Sequence, residues 1–296
     1  ICSTWSQAAT LGGSNTLQVR VVDDAGNSGP TLLQAYVLDT TAPPAPSTPD
    51  LDTASDTGVS SADNITNKAG TIQGADVSLF ARTDINNTGG TISGKNAVLA
   101  TAGRDISLTT TTRSAQSSSG KNSFERTTVE RVAGIYVQGD DGKLVLNAGR
   151  DLTLTGAQVV NSGSGSQTVL SAGRDLNLTT VTTSASDNLT WDKNNWLKQS
   201  VTQQAGSEVA GGGDILMMAG RDVNAQAATV EADSSLAVSA GRDIAVTAAT
   251  DSSTFESHHQ STGSSGALSK KTVTTHDVVN SETAQGALFS GDSVTL

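Results

Sequence analysis

The chain has 296 residues, of which 35% are hydrophobic and 3% aromatic, with 30 glycines, one cysteine and a formal net charge of −11. The negative balance opposes nucleic acid or an anionic lipid surface as a partner, and the lone Cys2 excludes an internal disulfide framework or a cysteine-based zinc site. No apolar run approaches the ~18–20 residues of a membrane span, and the scarcity of aromatics excludes a core packed with large rings.

Residues 16–22 and 32–38 read as two alternating strands, joined by the turn-rich loop 23–29. Four of the five prolines fall between Pro43 and Pro49, where they form a stiff linker. Asp39, Asp50, Asp52 and Asp56 around it are oxygen ligands of the type calcium takes, in a spacing that matches no EF-hand loop.

A repeat then takes over. Ala-Gly-Arg-Asp occurs five times, ending at Asp105, Asp151, Asp175, Asp222 and Asp243. Ala81-Arg82-Thr83-Asp84 is a degenerate copy, and Ser290-Gly291-Asp292 a last, partial one. Successive aspartates lie 21, 46, 24, 47, 21 and 49 residues apart, so a unit of 20-odd residues is nested in a super-repeat near 70. Short alternating strands flank each copy, as in Leu144-Val145-Leu146 and Leu152-Thr153-Leu154. Such a unit cannot close a core alone, but copies stacked ~4.8 Å apart can. This predicts a parallel β-helix of roughly ten coils, on the order of 50 Å long. The corners fall at Gly103-Arg104-Asp105, Gly149-Arg150-Asp151, Gly173-Arg174-Asp175, Gly220-Arg221-Asp222 and Gly241-Arg242-Asp243. The glycine is expected at a positive φ or a bulge. The aspartate is expected on backbone amides, and the arginine facing outward toward an aspartate of the adjacent coil.

The long steps contain Ser/Thr-rich insertions near 110–132, 180–210 and 250–283, expected to be extruded β-hairpins with turns near 118–121, 192–195 and 263–266. They carry Phe124, Trp191, Trp196 and Phe255, candidate partner contacts that would otherwise pack on the neighbouring hairpin. All three histidines, His258, His259 and His276, lie in the third insertion beside Glu256 and Asp277, without a recognised zinc spacing. A β-helix also suits polysaccharide-cleaving enzymes. Here the carboxylates recur one per coil and aromatics are scarce, so no catalytic residue is assigned.

Val22-Asp23-Asp24-Ala25-Gly26-Asn27, with Asp39-Thr40-Thr41-Ala42-Pro43 and Asp56-Thr57-Gly58, resembles the immunoglobulin-like repeats of giant bacterial biofilm adhesins. That resemblance implies part of a β-sandwich at 1–42, followed by a linker or the start of a next repeat at 43–66. It also implies calcium as a candidate ligand within 39–63. Asp84-Ile85-Asn86-Asn87-Thr88-Gly89-Gly90-Thr91-Ile92-Ser93-Gly94 and the five Ala-Gly-Arg-Asp units resemble the haemagglutinin repeats of filamentous haemagglutinin-like exoproteins. This second resemblance implies a right-handed parallel β-helix over 67–296 and export through an outer-membrane secretion partner. It further implies a secreted or cell-surface location and contact with a host or neighbouring bacterial cell, in adhesion or in delivery of a C-terminal toxin. The alternative gives the main role to the calcium-responsive immunoglobulin-like part.

Overall fold

The computed structural model describes residues 15–23, 25–36, 62–266 and 269–296. The chain divides into two compact units, Ile1–Leu51 and Asp52–Leu296.

In the first unit, strands Asn15–Val19 and Leu32–Tyr36 pair antiparallel, Asn15 opposite Tyr36 and Val19 opposite Leu32. Asp23 holds the loop: its Oδ1 accepts from the amides of Ala25 at 3.0 Å and Asn27 at 2.8 Å, and its Oδ2 from Asn27 Nδ2 at 2.9 Å. These bonds, the Asn27 side chain first, hold the Asp23 carboxyl below the usual carboxylate range. The expected sandwich is represented among the described residues by this one hairpin. The calcium candidates Asp39, Asp50, Asp52 and Asp56 lie outside them.

The second unit is a parallel β-helix. Its complete coils run over 71–88, 91–109, 134–155, 158–179, 208–226 and 229–247, each supplying a strand segment to three stacks. A partial coil stands at either end, formed by Ala62–Lys68 and by Leu288–Ser290 with Ser293–Thr295. Every inter-coil pairing is parallel and in register, which turns the period-two alternation of each strand into columns of like side chains. One column runs Val77, Val98, Leu144, Thr168, Ile215, Leu236. A second runs Ile65, Ile85, Ile106, Leu152, Leu176, Val223, Ile244. A third runs Ile72, Ile92, Ile135, Val159, Val209, Val230. Leu144, Leu146, Leu152, Leu154, Leu170, Leu176 and Leu178 are each 0% exposed. Burying a side chain of this size contributes about 1.5–3 kcal/mol, so the columns are the main source of stability.

The coil count departs from the expected ten because the hairpins consume much of the chain. The six complete coils and their partial neighbours extend on the order of 30–35 Å at ~4.8 Å per strand. The corner glycines also have a different cause from the one expected. None of Gly103, Gly149, Gly173, Gly220 and Gly241 has a positive φ. Instead, a Cβ on Gly149, Gly173, Gly220 or Gly241 would lie 2.2–2.3 Å from the carbonyl oxygen of the corner glycine one coil earlier. The coils approach so closely at this corner that only hydrogen fits. In the first copy the preceding backbone is Arg82, whose carbonyl a Cβ on Gly103 would meet at 2.2 Å.

The second column also contains buried asparagines. Asn67 and Asn87 occupy the row that continues as Leu108, Leu154 and Leu178. Asn67 Nδ2 donates to Asn87 Oδ1 at 2.9 Å, and Asn87 Nδ2 donates to the Gly90 carbonyl at 2.9 Å. Their amides thus satisfy one another and the adjoining turn, as buried polar groups require.

Candidate functional site

Each coil places one arginine and one aspartate at the same corner. Arg150 Nε donates to Asp105 Oδ1 at 2.8 Å and its Nη2 to Asp105 Oδ2, a two-pronged pair across coils. The geometry recurs for Arg104 on Asp84, Arg174 on Asp151, Arg221 on Asp175 and Arg242 on Asp222, with Nε–Oδ1 distances of 2.7–2.8 Å. Each arginine also stands 3.3–3.5 Å from the aspartate of its own coil. The result is one unbroken chain of alternating charge from Asp84 to Asp243.

Each acceptor aspartate does a second task. Its Oδ1 takes the amide of the aspartate one coil later, as in Asp151 N on Asp105 at 3.2 Å and Asp175 N on Asp151 at 3.3 Å. The acceptor side chains from Asp84 to Asp222 are 11–23% exposed, against 44–59% for their arginines. The arginine stems therefore shield the carboxylates, and the guanidinium heads remain wet. Burial pushes the Asp105 carboxyl up, but bonds from Arg150 and the Asp151 amide outweigh it, and the net shift is downward. The Arg221 hydrogen bond leads in lowering Asp175. Bonding to Asp84 holds Arg104 above its usual value, and the partner aspartates do the same for Arg150, Arg174, Arg221 and Arg242. Every strong donor at this corner is already engaged, so the arrangement serves coil stacking.

The three insertions leave the coil at the same corner after every second turn. Their strands are Thr111–Ser119 with Asn122–Arg131, Val181–Asp192 with Asn195–Ala205, and Ala249–Gly266 with Ser269–Gln285. The last two strands run through residues 263–266, so the third turn falls at 267–268, outside the described residues. The hairpins join edge to edge into one six-stranded antiparallel sheet. Between the first and second, Ser184–Asn188 pairs with Ser123–Thr127, and Arg126 forms an ion pair with Asp187 at 2.5 Å. Between the second and third, Thr202 to Trp196 pairs with Ser252 to His258. Asn194 Nδ2 donates to Gln260 Oε1 at 2.6 Å, and the Gln260 amide to Asn195 Oδ1 at 2.9 Å.

The four aromatic candidates are placed unequally. Trp196 is half-buried in this junction: its ring stacks on His258 at 5.9 Å and 13°, meets His276 edge-on at 6.0 Å, and carries Lys198 Nζ at 4.9 Å. Phe255, also half-buried, stands on the opposite face in the row of Asp187 and Val279. Phe124 is 43% exposed, opposite Asp187. Trp191 sits at a register irregularity near the second turn and is 68% exposed, which leaves it the freest of the four. His258 and His276 do meet across the hairpin, their rings 6.0 Å apart, and His276 Nε2 lies 3.0 Å from Glu256. His259 pairs with Thr275 in the next row, whose side chains point the other way. Among the described residues no group of three histidine, cysteine or carboxylate side chains can hold a metal.

Stacked three-stranded coils with a charged corner and a hairpin every second turn define a β-helical repeat rod with a lateral hairpin sheet. A family model described as hemagglutinin repeat matches residues 53–128, 136–196 and 189–287, more than half of the chain, and the chain belongs to that family. It is similar over 104 residues, at 40% identity, to the 16S rRNA endonuclease CdiA of Enterobacter cloacae, a match covering 35% of this chain and 3% of that protein. It is 38% identical over 146 residues to the deoxyribonuclease CdiA of Dickeya dadantii, covering 48% of this chain and 4% of that one. It is 33% identical over 223 residues to the tRNA nuclease CdiA of Escherichia coli, covering 74% and 6%. The matches thus span only 3–6% of the length of these curated relatives. No solved structure matches the chain.

Proposed function

We propose that this chain is a structural segment of a large secreted, surface-displayed bacterial exoprotein of the contact-dependent growth inhibition type. In that setting the rod spaces and displays other parts of the molecule toward a neighbouring cell. Export through an outer-membrane secretion partner and contact with a target-cell surface are properties of the whole protein in this reading. The nuclease activity in the relatives' names belongs to parts of those proteins that this chain does not cover. The observation that supports the reading is the unbroken stack itself. Its carboxylates and arginines are spent on one another, coil after coil, and no described cleft gathers an acid, a base and a substrate-sized pocket.

Internal deletions in the full exoprotein test it. Removing residues 152–222 takes out two coils and one hairpin and sets Val223 where Leu152 stood, since both belong to one column. Surface display and inhibition of target cells should persist. Removing 152–163, half a coil, breaks every column and should abolish folded display. Equal loss from both deletions, or nuclease activity in the purified rod, would overturn the proposal. For the first unit, Asp39, Asp50, Asp52 and Asp56 are the proposed calcium ligands. The check is whether calcium raises the melting temperature of the whole chain and whether Asp50→Asn/Asp52→Asn removes that rise.

A further inference from the structure

One face of the hairpin sheet carries a trough that coil stacking does not use. Directly opposite residues in an antiparallel sheet point to the same side. Asn188, Lys198, Glu256 and Val278 form one row across the second and third hairpins, with Ser123 of the first at its end. Ser186, Ser200, Thr254 and Asn280 form the next row on that face. Together they line a solvent-open hollow of about 690 Å³, within the ≈300–1,000 Å³ range of ligand sites. Trp196, His258 and His276 form the following row and bound it at one end.

The lining determines the chemistry. Its floor is made of short hydroxyls, which both donate and accept, and its sides carry the two-sided amides of Asn188 and Asn280. The Asn188 Oδ1 has no hydrogen-bond partner in the protein. The two charged side chains oppose each other, and both lean out of the hollow toward the aromatic row: Lys198 Nζ sits 4.9 Å from the Trp196 ring, and Glu256 Oε1 lies 3.0 Å from His276 Nε2. Asp187, beneath the floor, is already tied to Arg126 and Gln199. The hollow therefore offers many neutral donors and acceptors and no net charge. Val278, 56% exposed at the rim, adds an apolar surface. A phosphate-bearing ligand finds no free cation cluster here and faces a chain of charge −11. A ligand dense in uncharged hydroxyls, with apolar C–H faces between them, fits both the floor and the rim.

We propose that this trough, assembled from all three hairpins, binds a neutral oligosaccharide. The inference deepens the display reading by giving the rod a surface of its own that engages sugar chains on a contacted cell.

The test uses the whole purified chain on an array of neutral hexose and N-acetylhexosamine oligomers beside sialylated and sulfated ones. The best neutral probe is then titrated against Trp fluorescence. Neutral glycans should be retained, and Asn188→Ala/Asn280→Ala should weaken binding at least tenfold. The control Asn177→Ala/Asn224→Ala, on the coil surface, should leave it unchanged. A blank array, retention of charged glycans alone, or undiminished binding by the Asn188/Asn280 variant overturns the proposal. Amide-exchange protection of the coils, measured on the same samples, separates the two readings. Intact protection without glycan binding removes the trough alone, whereas lost protection removes the rod beneath it.

Discussion

Gly173→Ala is the substitution that most sharply separates the account of the corner from the usual one. If the glycine served a left-handed turn, alanine would cost only the strain of a positive φ, about 1 kcal/mol. Gly173 has no positive φ, and the new Cβ would stand 2.2 Å from the Gly149 carbonyl oxygen. That is about 1 Å inside the ~3.3 Å at which carbon and carbonyl oxygen meet. The neighbouring strands cannot give way freely. Gly173 N donates to Ala148 O at 2.9 Å and Arg174 N to Arg150 O at 2.7 Å, and separating the coils weakens both bonds. Overpacking of about 1–3 kcal/mol with partial loss of two bonds near 1 kcal/mol each gives a cost of about 2–4 kcal/mol. Native-state hydrogen exchange on the segments 143–148, 167–172 and 214–219 should show it as raised exchange centred on that coil. Gly120→Ala is the matched control: it sits at a hairpin turn with φ +60 and nothing within 4 Å, so coil protection should not change. Coil protection in Gly173→Ala within about 0.5 kcal/mol of the parent, the ordinary scatter of surface changes, would refute the close-approach explanation.

Other outcomes follow from the same geometry. Leu146→Ala empties a 0% exposed position in a continuous column and should cost about 2–5 kcal/mol by denaturant midpoint. Arg221→Met strips Asp175 of its paired donor while the carboxylate stays shielded at 8% exposure; a loss of about 1–3 kcal/mol, recovered in part by adding Asp175→Asn, is expected. Asp105 and Asp175 have lowered folded pKa values, so their contribution is fully present above the unfolded carboxylate value of about 3.9 and is lost as pH falls through the lower folded values. Melting temperature should therefore hold steady from neutral to about pH 5 and drop below about pH 4, and a melting temperature that does not fall at acid pH would contradict the ladder's role. Trp196→Ala removes the stack on His258 and should raise exchange in 249–266 while leaving the coils protected.

Much of this architecture was legible before any coordinates. Fixed spacing between Ala-Gly-Arg-Asp copies determines coil length, and strict alternation as in Leu152-Thr153-Leu154 determines which side chains point inward, so registers such as Leu152 opposite Leu176 follow from aligning the copies. What spacing cannot express is distance between backbones. The corner glycine looked like a turn residue because φ is the usual reason for glycine, and only the 2.2–2.3 Å approach of successive corners reveals the steric one. Asn67 and Asn87 were hidden for a similar reason. An asparagine beside Thr and Gly reads as a surface turn until its neighbour one coil away is seen to complete its hydrogen bonds. The hairpins were legible singly, from Ser/Thr-rich arms around polar turns. Their joining into one sheet depends on contacts between insertions about 70 residues apart, such as Arg126 with Asp187 and Trp196 with His258, which have no local signal.

The central claim is that distant stretches of sequence return to one side of a common axis at a fixed rise. Asn86, Ser107, Thr153, Asn177, Asn224 and Ala245 occupy successive steps of a single outward column. With Cys2 replaced by serine, spin labels at positions 86 and 245 should give one narrow electron–electron distance of about 24 Å, five steps of ~4.8 Å, broadened only by the label arms. A broad distribution, or a maximum well beyond 40 Å, would show that the coils do not stack.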